Sequence, residues 1–418
     1  MQLRAPRGTS DILPGEVERW QWLQQEARTV FTRYGYREII TPVFEHTELF
    51  VRGIGEATDV VNKEMYTFTD KGGRSITLRP EGTASVVRAY LEHNMAAWPQ
   101  PVKLYYFTSG FRYEKPQAGR YRQFHQLGAE ALGSADPALD AEMIAIPIEI
   151  YRRLGLGNFL VKLNSIGCPQ CRHTYREALI SHLTPNLARL CSTCRNRYEL
   201  NPLRILDCKS AQCQQAIENV PRSVDFLCDE CQHHFSLVQT YLNEMAIPFV
   251  LDDRLVRGLD YYSRTVFEVQ SNDLGAQSSL CGGGRYDGLV EECGGPATPG
   301  VGFASGIERV IEALARQNKN PSLTNEVQVF VASLGAAARL PSFKLVHQLR
   351  QAGLIVETDY LQRSLKAQLK AANRLGASTV VIVGEDELAK GVVQVRNMQT
   401  ATQEELPLPQ VVNILINR

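Results

Sequence analysis

Arg257-Gly258-Leu259-Asp260-Tyr261-Tyr262 runs on into Thr265-Val266-Phe267-Glu268-Val269, and about twenty residues past Tyr262 comes Gly282-Gly283-Gly284-Arg285-Tyr286-Asp287-Gly288-Leu289. The first stretch sets a permanent cation, a carboxylate and two hydroxyl-bearing aromatics beside a run that reads as a strand. The second is a glycine-rich turn with its own Arg and Asp. Polar groups beside a buried strand are costly unless each has a partner. Two arrangements supply partners: a site for a polar, partly anionic ligand, or a core ion pair at a strand end.

At 418 residues the chain is too long for one compact core, so two or three domains are expected. Hydrophobic content of 44% and charged content of 22% are ordinary for a globular protein. Apolar runs such as Thr379-Val380-Val381-Ile382-Val383 fall far short of a membrane span, and residues 1–14 contain no apolar signal core. A soluble, cytoplasmic protein without membrane partners is expected. Lys plus Arg equals Asp plus Glu, at 45 each. The whole-molecule field is therefore weak, which counts against a non-specific nucleic-acid binder but not against an enzyme that docks one defined RNA.

Outward from the opening stretch, Val17, Trp20, Leu23, Ala27, Val30 and Phe31 fall at helical spacing within 16–34, and the pattern breaks at Gly35. Glu38 to Phe44 reads as a strand whose Pro42 confines it to an edge or an irregular position. Ser75 to Pro80 reads as a strand, and Thr83 to Leu91 as a helix capped by Thr83. Val102–Thr108 and Gln123–Glu130 read as a hairpin with a basic tip carrying Arg112, Lys115, Arg120 and Arg122. A helix over 139–154 and a strand over 159–164 precede the cysteine-rich stretch, and strand-like sequence resumes at Pro248. Val301 to Leu314 reads as a strand passing into a helix, and 317–325 as a linker. Beyond it, segments at 327–334, 341–352, 354–357, 364–375 and 378–384 alternate as βαβαβ, which favours a small α/β domain with a largely parallel sheet.

Together these stretches resemble the histidyl-tRNA synthetases, a family of class II aminoacyl-tRNA synthetases, from Arg7-Gly8-Thr9-Ser10-Asp11 to the C-terminal α/β segment. The first class II motif would span the helix and the strand ending at Pro42, which in the family builds the interface of a homodimer. The second is Phe111-Arg112-Tyr113-Glu114 with Arg120-Tyr121-Arg122-Gln123-Phe124, and the third Gly300-Val301-Gly302-Phe303-Ala304-Ser305-Gly306-Ile307-Glu308-Arg309. The fold implied is an α+β and α/β multidomain chain. It has a class II antiparallel-sheet catalytic domain over 1–325, a cysteine-rich insertion at about 168–247, and a C-terminal α/β anticodon-binding domain over 326–418.

The activity implied is ATP-dependent joining of L-histidine to tRNA(His), with Mg2+ accompanying ATP. A histidine carboxylate attacks the α-phosphate, pyrophosphate leaves, and the acyl group passes to a ribose hydroxyl of the tRNA. An anion thus meets a polyanion, so positioning and charge neutralisation should dominate, and Arg suits both because it stays protonated and clamps phosphate oxygens. By resemblance, Arg112 holds the α-phosphate and carboxylate region, Arg257 approaches from the opposite side, Arg309 holds the far end of a bent ATP, and Phe124 stacks on adenine. Glu81, Gly82 and Thr83, with Gln126, serve the α-ammonium. Glu130 and Tyr262 take the imidazole nitrogens, with Tyr261 and Gly284 lining the pocket. A pocket that hydrogen-bonds both ring nitrogens rejects apolar isosteres strongly. Lys115, Gln117, Arg120 and Arg122 would meet the tRNA acceptor end. The C-terminal segment, with ten Lys or Arg against eight Asp or Glu over 326–418, gives no charge signal of its own. A regulatory relative, the synthetase-like subunit of ATP phosphoribosyltransferase, typically lacks that segment and departs from the motifs. A general RNA-binding protein with a dead core is disfavoured by the neutral charge and intact arginines.

Of ten cysteines, eight lie between Cys168 and Cys231. With no signal peptide expected, metal binding outranks disulfides. Cys168-x2-Cys171-x19-Cys191-x2-Cys194 fits a structural zinc site, and Cys208-x4-Cys213-x14-Cys228-x2-Cys231 a less regular second one. The family resemblance requires no metal here, so a set of reduced thiols without ligand function is the other reading.

Overall fold

Strict alternation builds the centre of the molecule. Val102–Phe111 and Gln123–Leu132 pair antiparallel from Val102 opposite Leu132 to Phe111 opposite Gln123. Leu127, Ala129 and Ala131 point into an apolar core, so Gln126, Gly128 and Glu130 occupy the other face. The computed structural model describes residues 3–56, 58–117, 119–275, 278–319 and 327–417. They form two compact units, Met1–Pro321 and Ser322–Arg418. The linker expected at 317–325 lies outside the described residues from position 320 onward.

The first unit is organised on an eight-stranded sheet. Its order is Arg37–Glu38, Val102–Phe111, Gln123–Leu132, Gly300–Gly306, Ser279–Arg285, Ser263–Ser271, Phe159–Ser165 and Phe249–Leu251. The inner pairings are antiparallel, and the outermost pair at each edge is parallel. Helices Val17–Arg33, Pro137–Arg153, Asp229–Glu244 and Ile307–Arg316 bury their apolar stripes against one face. Pro137–Arg153 starts two residues before the periodicity suggests, because the Asp136 side chain accepts the Ala138 N–H at 2.9 Å and Pro137 fits the first turn. The opposite face carries helix Thr83–Glu92 and the candidate site.

Two local expectations need correction. The strand read across Pro42 is divided: Arg37–Glu38 joins the large sheet, while Phe44–His46 joins a small sheet with Ser75–Leu78 and Tyr66–Thr69. Pro42 donates no N–H, and the carbonyls of Thr41 and Pro42 accept from the Arg79 guanidinium, at 2.8 and 2.9 Å, instead of extending a ladder. Helix Thr83–Glu92 is not capped by Thr83. The Glu81 carboxylate accepts the N–H groups of Thr83 and Ala84 at 2.6 and 2.8 Å, and the Thr83 hydroxyl is thereby released for the site.

The cysteine-rich stretch lies between Phe159–Ser165 and Phe249–Leu251, neighbours in the sheet, and is helical. Its cysteines do not group as their spacing suggests. Cys168 and Cys171 meet Cys228 and Cys231, while Cys191 and Cys194 meet Cys208 and Cys213. The chain leaves the sheet at Cys168 and comes back beside that point at Cys228, where helix Asp229–Glu244 re-enters the main core. The first and last pairs therefore close the root, and the middle four cysteines are left for each other.

In the second unit the strand order is Val356–Thr358, Val329–Ser333, Thr379–Val383, Val392–Asn397 and Gln403–Pro407. The first three are parallel, as the βαβαβ alternation requires. The last two form an antiparallel hairpin that makes the sheet mixed.

Candidate functional site

On its three central strands, the face of the large sheet that carries the site is poor in side chains. Across it, Gly128 lies opposite Ala304 and Glu130 opposite Gly302, and Gly282 and Gly284 lie on the far side of the same residues. A methyl group on Gly302 would overlap the Glu130 carboxylate, and one on Gly282 would overlap the Arg257 guanidinium. Side chains from loops can thus lie flat on the backbone. Beside them opens a cavity of about 220 Å³ whose walls include Arg112, Phe124, Gln126, Arg257, Ala304 and Arg309.

Three elements bring the cavity's arginines together. Arg112, at the end of the long hairpin, donates from Nε to the Pro80 carbonyl at 2.9 Å and lies 5.3 Å from the centre of the Phe124 ring. Arg309, in helix Ile307–Arg316, donates to the carbonyls of Gly119 and Ser279. Its pKa is held below the usual value by burial and by the Arg120 and Arg112 cations, while Glu114 and Glu268 oppose that shift. Arg257 pairs with Glu268 at 2.9 Å, and its charge is upheld against burial by Tyr262 and Glu268. Its partner is not the adjacent Asp260, which instead accepts from Asn201 of the insertion at 2.7 Å. The Arg257 Nε–H and the Gln126 Oε1 are buried without a hydrogen-bond partner among the described residues. One is a donor and the other an acceptor, and both belong to the cavity wall.

Next to this cavity lies a sealed group of side chains. Glu130 is fully buried and accepts from the Thr83 hydroxyl at 2.7 Å, from Tyr106 at 3.0 Å and from Tyr286. Burial pushes its carboxyl up to about 8, although the three hydroxyls pull the other way. Glu81 is raised too, by burial, against its bonds from Ala84 and Thr83. Tyr261 and Tyr262 stand with ring centres 4.6 Å apart, and Tyr261 meets the Tyr286 ring at 5.7 Å. Gly82 sits against Tyr106, and Gly284 against the Tyr262 ring. Glu81, Thr83, Glu130, Tyr261 and Tyr262 therefore form one cluster, which Arg257, 5.9 Å from the centre of the Tyr262 ring, joins to the cavity, while Gln126 stands in the cavity wall.

The basic loop divides. The backbones of Gln117 and Arg120 close a tight turn, and Lys115, Gln117 and Arg120 are exposed. Arg120 pairs with Glu114 at 3.2 Å and reaches the cavity wall. Arg122 is taken up by the fold: its guanidinium lies 3.9 Å from the centre of the Tyr113 ring, and its backbone N–H donates to Gly8.

Sequence reading missed Tyr106, which reaches Glu130 from the neighbouring strand, Tyr286, which reaches it from just past the end of Ser279–Arg285, and Glu268. The alternation of Val266, Glu268 and Gln270 held a signal for the last, since it turns Glu268 to the glycine face. For Arg285 the core-ion-pair reading holds. It is wholly buried against Asp140 and also pairs with Asp287, while His234 approaches Asp140 at 3.2 Å. The Arg285 cation keeps the Asp140 carboxyl below the usual range despite burial.

Comparison with known proteins agrees with this geometry. The family model described as Histidyl-tRNA synthetase matches residues 8–310, and that described as Anticodon binding domain matches 328–418. The histidine–tRNA ligase of Desulforamulus reducens is 57% identical over 407 residues, covering 97% of each chain. That of Pelotomaculum thermopropionicum is 54% identical, over 98% of this chain and 96% of its own. The crystal structure of apo Staphylococcus aureus histidyl-tRNA synthetase superposes with a TM-score of 0.85 at 40% identity, covering 99% of this chain and all of that one. With a glycine-faced antiparallel sheet, an arginine-lined cavity and an anticodon-binding segment, the chain belongs to the histidyl-tRNA synthetase family of aminoacyl-tRNA ligases.

Proposed function

We propose that the cavity and the sealed cluster are the two halves of one histidine-activating site in residues 1–325, serving a tRNA read by residues 326–418. The observation that carries this is the pair of unsatisfied groups between them, the Arg257 Nε–H and the Gln126 Oε1. A buried donor and a buried acceptor left unpaired are costly, and an amino-acid adenylate offers a phosphate oxygen to one and an α-ammonium to the other.

ATP enters as its Mg2+ salt. Arg112 and Arg257 bracket the α-phosphate, Arg309 holds the distal phosphates, and Phe124 stacks on adenine. Neutralising charge as it builds on the α-phosphate is the main contribution of such guanidinium groups. Glu81, Gly82, Thr83 and Gln126 receive the α-ammonium and orient the carboxylate for in-line attack. Glu130 and Tyr262 bond the imidazole nitrogens, with Tyr261 closing the side of the pocket. Lys115, Gln117 and Arg120 form the face toward the tRNA(His) acceptor end, with Arg122 held behind them against Tyr113.

A homodimer is supported by Ile40, Val43 and Phe44, exposed apolar residues at the end of the first motif. Among the described residues no helix is long and apolar enough to cross a membrane, which suits a cytoplasmic enzyme. Structural zinc in the two four-cysteine sets belongs to the same reading, because four sulfurs within 4.8 Å of one another suit a tetrahedral thiolate zinc site. Histidine-dependent exchange of pyrophosphate into ATP tests the whole assignment. Folded protein that exchanges no label above background, with Mg2+ present, overturns it.

A further inference from the structure

The root cluster joins the two ends of the insertion, and the residues between its cysteines hold the backbone that carries Tyr261 and Tyr262. Arg172, which follows Cys171, donates to the Tyr262 carbonyl at 3.0 Å and to that of Asp260 at 3.5 Å. Just before Cys168, the Ile166 N–H donates to the Arg264 carbonyl at 2.8 Å, and the Arg264 N–H to the Gly167 carbonyl at 2.9 Å. Glu230, between Cys228 and Cys231, pairs with the Arg264 side chain at 2.5 Å. Three short segments of the cluster thus grip residues 260–264 from one side.

The sulfurs themselves have the geometry of a metal site. All four lie within 4.8 Å of one another, and those of Cys168 and Cys171 are 3.5 Å apart. A disulfide brings sulfurs to about 2 Å. Four thiolates about 2.3 Å from one zinc stand about 3.8 Å apart at the corners of a tetrahedron. Cys168 and Cys228 each stand just before a helix, Pro169–Leu183 and Asp229–Glu244, so an ion here would fix the directions in which both helices start. The inner cluster of Cys191, Cys194, Cys208 and Cys213 lies in the insertion's own small core and is not part of this grip.

Resting on the zinc reading above, we infer that the root site is a positioning site for histidine: zinc bound by Cys168, Cys171, Cys228 and Cys231 sets Tyr261 and Tyr262 in place through Arg172. Arg172 and the four cysteines are positioning residues, since none touches the pocket. Metal at the root should therefore govern histidine affinity far more than ATP affinity.

The test combines zinc content, measured on full-length protein purified without chelator, with KM values for histidine and ATP in pyrophosphate exchange. About two zinc ions per chain are expected in the unaltered protein, and about one in Cys228→Ser. That variant should raise the histidine KM about tenfold and the ATP KM less than about twofold, as loss of an orienting contact does. Cys228→His, which restores a zinc ligand, should recover both the second ion and the histidine KM. Arg172→Ala should keep two zinc ions yet raise the histidine KM equally, and it decides the matter if Cys228→Ser does not fold. Near-zero zinc in the unaltered protein overturns the zinc reading, and this inference with it. Normal zinc, with a histidine KM unmoved in Arg172→Ala, overturns the positioning role alone.

Discussion

Arg257 and Arg285 come from the two stretches that looked alike in sequence, and they end in opposite circumstances. Arg285 directs its donors at protein acceptors: Asp140, Asp287 and the carbonyls of Ser134 and Asp136. Arg257 pairs with Glu268 and, among the described residues, leaves its Nε–H unanswered. Arg285 is wholly buried and Arg257 half-buried, both beside a glycine-rich strand. The difference lies in who supplies the acceptors, and only the unfinished arrangement calls for a ligand.

Four results would break or sharpen this contrast. Arg257→Ala should cut histidine-dependent pyrophosphate exchange about 10³-fold, the usual cost of one preorganised charge-stabilising donor, with thermal stability little changed. A variant that exchanges normally would remove Arg257 from the chemistry. Arg285→Met should act the other way round. It leaves the buried Asp140 carboxyl with His234 alone beside it, a loss of about 3–5 kcal/mol of stability in denaturant unfolding. Adding Asp140→Leu should regain most of that loss, and a double variant as unstable as the single one would mean that the pair is not the reason.

Glu130→Gln should raise the histidine KM about tenfold, since the amide replaces one of the two oxygens on which three hydroxyls converge with an NH2 that cannot accept. The same variant tests the carboxyl pushed up to about 8. Between its unfolded value near 4.5 and that folded value, the folded chain holds a proton that the unfolded chain has released. Stability contributed by Glu130 therefore falls as pH rises through this window. The thermal midpoint of the ligand-free Gln variant should gain on the unaltered protein from about pH 5 to about pH 8, and a constant difference would show that Glu130 is already ionised. The smallest effect is expected for Lys115→Ala, a few-fold rise in tRNA KM and a salt dependence shallower by about one.

How far the sequence could be read depended on whether the signal was local. The hairpin of Val102–Phe111 and Gln123–Leu132 followed from alternation, and the helices from apolar spacing, because each pattern lies in a single segment. Arg112, Phe124, Gln126, Glu130 and Arg309 could be singled out because they stand inside contiguous motifs. Tyr106 and Tyr286 could not, since one reads as ordinary strand core and the other as part of a glycine-rich turn until the fold brings both to Glu130. The cysteines make the same point more sharply. Spacing favoured consecutive pairs, but the return of the chain at Cys228 decides which sulfurs meet. Thr83 offered a good cap by residue type, and the neighbouring Glu81 took the two N–H groups instead.

The bare glycine face also limits how the enzyme could be redesigned. Beneath the candidate pocket lie Gly128, Gly282, Gly284 and Gly302, so no side chain there remains to be shortened. Room for a bulkier histidine analogue would have to come from Tyr106, Tyr261, Tyr262 or Tyr286. Tyr106 and Tyr286 hold the Glu130 carboxylate and Tyr262 is assigned to the imidazole, which leaves Tyr261 as the wall that a library could trim without dismantling those contacts.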